Sequence, residues 1–150
     1  MEKNNFREAI ESTKEIRSFY REGLKALGSS ASKIHVSNPK QIDGSIDIDA
    51  ASIKKYPHDN RWDYAIGYSN RVFYVEIHPA YTAEVVKMIA KLQWLKKWLK
   101  QNAIKLGQIE KGTPPYSWIQ SGKGGILPGS RQAKMAAIYG LKPMKQLILK

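Results

Sequence analysis

Two neighbouring segments of the sequence alternate apolar and polar residues across a short link, which predicts a β-hairpin. The segments are RWDYAIGY (residues 61–68) and RVFYVEIHPA (residues 71–80), joined by Ser69 and Asn70. A link that closes as a two-residue or four-residue loop fixes the register of the two strands. In that register Asp63 lies directly opposite Glu76, on the same face of the hairpin.

The facing carboxylates limit what the hairpin can be part of. Like charges directly opposed across two strands destabilise a sheet. A fold retains such a pair either by turning both groups into water or by placing a cation between them. The opposite face of the hairpin is predicted to be core, and it carries Trp62, Tyr64, Ile66, Phe73, Val75 and Ile77.

The composition excludes several kinds of metal site and a membrane span. The 150 residues include no cysteine and three scattered histidines, so disulfides, thiolate sites and zinc motifs are excluded, and any metal would be a hard ion held by oxygens. No segment reaches the length of about 18 apolar residues that a span needs, and the chain starts with the polar MEKNNF. We expect a single soluble, cytoplasmic domain over residues 1–150, with no membrane partner.

The net charge of +12 is concentrated in the second half of the chain. Residues 1–75 hold 12 Lys and Arg against 10 Asp and Glu, whereas residues 76–150 hold 13 against 3. Such an excess attracts nucleic acid through counterion release, or another polyanionic surface. Nucleic acid is the favoured partner, and an ordinary solubilising basic surface is the alternative.

Hydrophobic spacing predicts the remaining elements. Helical periodicity predicts an amphipathic helix over residues 6–27 and a long helix over residues 82–101. Strands are predicted near residues 34–36 and over 42–49, 116–120 and 146–149, and a short helix over 130–139. The loop SGKGGILPG at residues 121–129 lacks the spacing of a phosphate-binding loop, so it is predicted to be a surface loop.

One edge of the long helix combines basic and aromatic residues. Lys87, Lys91, Trp94 and Trp98 follow one another at spacings of four, three and four residues. Ammonium and indole groups in one stripe suit phosphates and the faces of bases. The alternative is that the indoles pack beneath neighbouring strands, which we favour for Trp98. Further candidate nucleic-acid contacts are Lys123, Arg131 and Lys134.

The order of the elements resembles the PD-(D/E)xK nuclease superfamily, which has the restriction-endonuclease-like fold. In that family one acidic residue lies early on the second core strand, and a (D/E)xK tripeptide lies on the third. Here Asp63, twelve intervening residues and then Glu76-Ile77-His78 occupy those places. The resemblance implies an α/β fold in which a central mixed sheet, an antiparallel three-strand meander plus further strands, is flanked by helices.

The resemblance also implies a metal site. Asp63 and Glu76 would ligate Mg²⁺ or Mn²⁺ with help from the backbone carbonyl of Ile77, because hard divalent ions take oxygen ligands. His78 stands where the family has its lysine. Two replacements for that lysine are open: His78 acts as the base itself, or Lys87 reaches back from the next helix, as in members with a migrated lysine.

A third acidic ligand has four candidates. The family often supplies one from its first helix, where Glu15 and Glu22 lie opposite the apolar face. Asp47 and Asp49 share a face of the preceding strand and are the alternative.

Three functions remain open at this stage. The first is a divergent Mg²⁺-dependent nuclease that hydrolyses phosphodiester bonds, with DNA favoured over RNA as the substrate. The second is a catalytically inactive nuclease-fold protein that binds nucleic acid or regulates. The third is an unrelated α/β protein with exposed carboxylates. The chain has little length for a separate recognition domain, so specificity is expected from loops, a homodimer or a partner protein.

Overall fold

A mixed five-stranded sheet forms the centre of the computed structural model, which describes residues 3–150. Its strands lie in the order β1-β3-β4-β5-β6, and all neighbours are antiparallel except β5 and β6. A separate parallel pair joins β2 to β7. The strands are β1 (Tyr20–Arg21), β2 (Ile34–Val36), β3 (Ile42–Asp47), β4 (Tyr64–Tyr68), β5 (Arg71–His78), β6 (Lys111–Gln120) and β7 (Leu147–Leu149).

Five α-helices surround this sheet within residues 3–150. They are α1 (Asn5–Glu11), α2 (Ile48–Ser52), α3 (Val85–Gln101), α4 (Ile104–Gly107) and α5 (Arg131–Ile138). Short 3₁₀ segments cover residues 17–19, 25–33, 39–41 and 82–84. The predicted α/β class, with a mixed central sheet that contains an antiparallel meander and is flanked by helices, is confirmed. No helix in the described part of the chain has the length and apolar character of a membrane span.

The central hairpin has the predicted register. Strand β4 pairs with β5 so that Tyr64 faces Val75 and Tyr68 faces Arg71. Ser69 and Asn70 both have positive φ, at 51° and 58°, which is typical of the two-residue turn that matches strand twist. Asp63 directly precedes β4, and the same register brings it to Glu76.

Helix α3 covers one face of the sheet. Its apolar residues are buried at the spacing predicted from the sequence, and they belong to the same core cluster as Trp62, Ala65, Tyr74 and Trp118. The helix starts after a 3₁₀ turn at residues 82–84, so its predicted extent is confirmed. The face of the hairpin that carries Glu76 is therefore buried under a helix.

The other face of the hairpin is also core, as predicted, but Trp62, which was predicted to lie on it, packs in the first cluster instead. Ile66, Phe73 and Val75 pack in a second cluster with Ile119 and Leu149, which is part of the small β2–β7 sheet. The sheet is therefore covered on both sides. A buried charge on either face needs a partner within the protein.

The prediction of a helix over residues 6–27 is wrong. Helix α1 ends at Glu11, where the hydroxyls of Ser12 and Thr13 both donate to the Ala9 carbonyl. Such local hydrogen bonds compete with a continuing helix. Further on, Tyr20 pairs with Ile46 at the edge of the sheet, a long-range contact that helical spacing cannot reveal.

The C-terminal elements largely follow the prediction. Ser130 caps α5 by accepting from the Ala133 N–H at 3.0 Å, and Gly140 follows the helix with a φ of 70°. Strand β7 lies where a last strand was predicted. Strand β6 begins at Lys111 rather than residue 116, because the Gly/Pro-rich segment before Tyr116 is extended and pairs with β5.

Gly67 on β4 provides a test of how closely α1 packs on the sheet. A methyl group built on Gly67 would lie 2.5 Å from Phe6 Cγ, and Phe6 is fully buried. We expect Gly67→Ala to lower the free energy of unfolding by about 1–3 kcal/mol in urea denaturation, because overpacking forces a buried ring to move. Gly125→Ala is the matched control, since nothing lies within 4 Å of its methyl position. Equal stability of the two variants would contradict this packing.

Candidate active site

The predicted acidic residues meet at one end of the central sheet. Asp63 lies just before β4 starts, and Glu76 lies two residues before β5 ends at His78. Strand β6 runs parallel to β5 and ends beside it, with Gln120 paired to His78. The chain leaves β5 here and enters α3, so this end of the sheet collects side chains from several segments.

Glu76 is a fully buried carboxylate, with a relative exposure of 0%. Its Oε1 accepts a hydrogen bond from the Asp63 N–H at 3.1 Å. Its Oε2 accepts from the Lys91 ammonium at 2.9 Å and lies 3.6 Å from His78 Nδ1. Because burial penalises an isolated charge strongly, these partners are what allows Glu76 to lie in the interior.

Asp63 is bonded to the hairpin in the reciprocal way. Its Oδ2 accepts from the Ile77 N–H at 2.9 Å, while its own N–H binds Glu76. Burial, followed by the negative charge of Glu76, raises the pKa of Asp63 to about 7. Asp63 therefore retains a proton to a higher pH than an ordinary aspartate does.

The ammonium group of Lys91 supplies the positive charge beside Asp63 and Glu76. Its side chain is only 13% exposed, and the Nζ donates to Glu76 Oε2 and, at 3.2 Å, to the Arg61 carbonyl. Lys87, one turn earlier on α3, is exposed, and its charge contributes to lowering the pKa of Glu84. The structure therefore brings Lys91, predicted as a nucleic-acid contact, to the carboxylates in place of Lys87.

His78 lies between two carboxylates. Its Nε2 is 3.0 Å from Glu84 Oε2 on the far side from Glu76, and its ring is largely buried. Glu76 and then Glu84 raise the pKa of the His78 imidazole, which in turn lowers that of Glu84. Sequence reasoning missed Glu84; its position six residues after His78, directly before α3, was the available signal.

Three of the four candidates for a third acidic ligand contact other groups, and the fourth is exposed. Asp47 caps α2 by accepting from the Ala50 N–H at 2.8 Å, and burial raises its pKa. Asp49 was predicted to share a strand face with Asp47, but β3 ends at Asp47 and Asp49 lies on α2, where it accepts from Arg61 Nε at 2.7 Å. Glu15 pairs with Lys55 at 3.4 Å, and Glu22 is exposed.

Within residues 3–150 no group of three or more His, Cys, Asp or Glu side chains is arranged to hold a metal ion. The two carboxylates nevertheless fit a hard cation. Mg²⁺ usually binds through one or two carboxylates and completes its shell with waters and substrate phosphates. A bound cation would favour the charged form of Asp63, which burial and the charge of Glu76 disfavour. Asp63 and Glu76 are the candidate ligands, and the Ile77 carbonyl, directly after Glu76 in sequence, is a further candidate oxygen.

The candidate nucleic-acid residues fall into two groups. Trp98 is buried as predicted, and Trp94 stacks on it with ring centroids 5.8 Å apart while donating to Asp59 at 3.0 Å. Lys123, Arg131 and Lys134 are exposed, on the 121–130 loop and on α5. That loop is tied to the start of the 82–84 turn, because the Leu127 N–H donates to Thr82 Oγ1 at 2.8 Å.

Comparison with protein-family models, with curated proteins and with solved structures finds no match for the chain. Its function is therefore inferred from the arrangement of its own residues.

The raised pKa of Asp63 predicts how stability changes with pH. A carboxyl whose pKa is raised by folding favours the folded state below its unfolded pKa of 3.8, and this contribution is lost as pH rises through about 7. The full effect is roughly 4 kcal/mol. In EDTA, Asp63→Asn should raise the melting temperature at pH 8 and change it less at pH 5. Melting curves of both proteins at the two pH values test this, and a gain that is equal at both would contradict it.

The ion pair of Glu76 predicts a contrast between two lysines on one helix. Lys91→Met leaves a buried carboxylate without its cation, which we expect to cost about 3–5 kcal/mol of unfolding free energy. Lys87→Met is the matched control, one turn away and exposed, and it should change stability by less than about 0.5 kcal/mol. Chemical denaturation of both variants measures the difference. Similar losses would show that Lys91 does not stabilise Glu76.

Proposed function

We propose that the protein is a divergent metal-dependent nuclease of the PD-(D/E)xK type that hydrolyses phosphodiester bonds in DNA. The observation that carries the proposal is the cluster of Asp63, Glu76 and Lys91 at the end of the sheet. Two carboxylates and one lysine at such a position are the groups that the family uses. The order of meander, helix α3, parallel strand β6 and helix α5 supports the same assignment.

In this proposal Asp63 and Glu76 hold Mg²⁺ or Mn²⁺, with the Ile77 carbonyl as a further oxygen. The ion supplies Lewis-acid activation of the phosphate and a water of lowered pKa. Lys91 takes the place of the family's motif lysine, because it balances charge at Glu76 from the next helix. Lys87, exposed one turn earlier, is left to contact a phosphate of the substrate.

His78 is better suited to hold a proton than to remove one. Its neighbours Glu76 and Glu84 raise the pKa of the imidazole, so the ring retains its proton to a higher pH than an ordinary histidine. A protonated imidazole beside the scissile phosphate adds positive charge and can donate a proton to the leaving oxygen. Glu84 then acts as a positioning residue, because it fixes the Nε2 side of the ring.

The basic half of the chain is the proposed DNA-binding surface. Exposed Lys123, Arg131 and Lys134 lie on the loop and helix that follow β6, which ends beside His78. Lysine and arginine contacts to phosphates give binding that weakens steeply with salt. In this proposal a homodimer or a partner protein adds sequence or structure specificity.

A second function is favoured by the burial of Glu76. The side chain is 1% exposed, and both of its oxygens already accept hydrogen bonds, from Asp63 and Lys91. An internal ion pair of this kind balances Glu76 without a metal. The alternative is therefore a catalytically inactive nuclease-fold protein that binds nucleic acid or regulates another protein.

Metal binding and cleavage separate the two functions. Melting temperature is measured with and without Mg²⁺ or Mn²⁺, and cleavage is followed on single-stranded, double-stranded and branched DNA and on matching RNA. A ligand of the folded state raises its melting temperature. We expect a metal-dependent rise and DNA cleavage in the wild type, and loss of both in Asp63→Asn. Glu15→Gln is the control, because that carboxylate lies on the surface in a weak pair.

The outcomes divide clearly. Salt-sensitive DNA binding with no cleavage and no thermal response to metal would support the inactive module and contradict the nuclease. Cleavage that survives in Asp63→Asn would place the active site elsewhere. Absence of both binding and cleavage on every substrate would contradict both functions.

A further inference from the structure

An apolar cavity of about 400 Å³ lies next to the candidate active site. Helix α5 forms one wall with the small side chains of Ala133, Ala136 and Ala137. Ile126 of the loop after β6 forms another, and Lys142 is a charged lining residue. The volume falls within the range of small-molecule sites, and such sites are apolar with a few polar groups.

The cavity lies at the same end of the sheet as the proposed catalytic residues. Ala80, two residues after His78, and Gln120, paired with His78 across the strands, both line it. The Gln120 side-chain amide donates to the carbonyls of Gly122 at 3.2 Å and Gly124 at 3.1 Å. These bonds hold the 121–124 segment at the cavity and fix the glutamine side chain.

We propose that this cavity accepts one nucleobase of the nucleic acid whose backbone lies at Asp63 and Glu76. The proposal depends on the proposed function, since it names the substrate feature that the same site recognises. An extrahelical or single-stranded base has two apolar faces and a polar edge, and enzymes bind such bases between apolar side chains with hydrogen bonds to the edge. The alanine-lined wall and Ile126 offer the apolar surfaces, and Gln120 offers the polar group.

The charge of the surroundings fits this occupant. The lining residues include Lys142 and no acidic side chain, and α5 carries exposed Arg131 and Lys134. Cations beside an apolar slot hold the phosphates that flank an inserted base. The substrate class that follows is single-stranded or branched nucleic acid, or a duplex with an unpaired base, because a paired and stacked base must first be extruded.

The test uses oligonucleotides in which 2-aminopurine replaces one base at successive positions. The fluorescence of this base rises when it leaves the stack. The full-length protein is mixed with them in EDTA, where metal-dependent cleavage cannot occur. We expect a rise at one position with the wild type. Ala137→Phe, which adds a ring to the alanine wall of the cavity, should abolish the rise and weaken binding of the unpaired-base substrate about tenfold.

Ile138→Phe is the matched control, because it is the next residue of α5, is 81% exposed and does not line the cavity. It should bind as the wild type does. If Ala137→Phe keeps the fluorescence rise and the affinity while Mg²⁺-dependent cleavage persists, the base pocket is wrong and the proposed nuclease stands. If the rise depends on Ala137 but no metal supports cleavage, the pocket stands and the nuclease fails. Absence of any rise with the wild type would overturn the pocket.

Discussion

The ion pair between Glu76 and Lys91 is the constraint on which the centre of the structure depends. Glu76 is fully buried beneath a helix, where an unpaired carboxylate would cost several kcal/mol. Its cation reaches it from α3 at 2.9 Å and also binds the Arg61 carbonyl. One ammonium group therefore fixes the rotation of α3 against β5 and against the segment that leads into β4. Apolar packing alone would tolerate small shifts of that helix.

The same contacts explain why two carboxylates can face each other in a covered hairpin. Each accepts a backbone N–H from the other strand, Glu76 from Asp63 and Asp63 from Ile77. These two bonds prolong the pairing of β4 and β5 past the last regular pair, Tyr64 with Val75. Here carboxylate oxygens accept the backbone N–H groups that carbonyl oxygens of the neighbouring strand accept in a regular sheet. The two strands therefore end in a polar cluster within an otherwise apolar core.

Periodicity was sufficient for the elements whose partners lie on one consistent face, such as α3 and the central hairpin. It failed for the N-terminal segment, where Tyr20 leaves the helical pattern to pair with Ile46, a contact set by tertiary structure. It also could not distinguish Lys87 from Lys91. The two lysines lie one turn apart on the same stripe of α3. Which of them is buried depends on how the helix packs against the sheet, and this packing places Lys91 beside Glu76.

The charges at this end of the sheet give the strongest physical reason to regard it as a functional site. A structural ion pair needs one cation for one carboxylate, and Lys91 provides it for Glu76. Asp63 is a second carboxyl in the same cluster, and its burial, followed by the charge of Glu76, raises its pKa to about 7. Above that pH a neutral residue that keeps the bond to the Ile77 N–H would give a more stable fold. Carboxyls with such a raised pKa are typical of sites that take up a proton or a cation from solution.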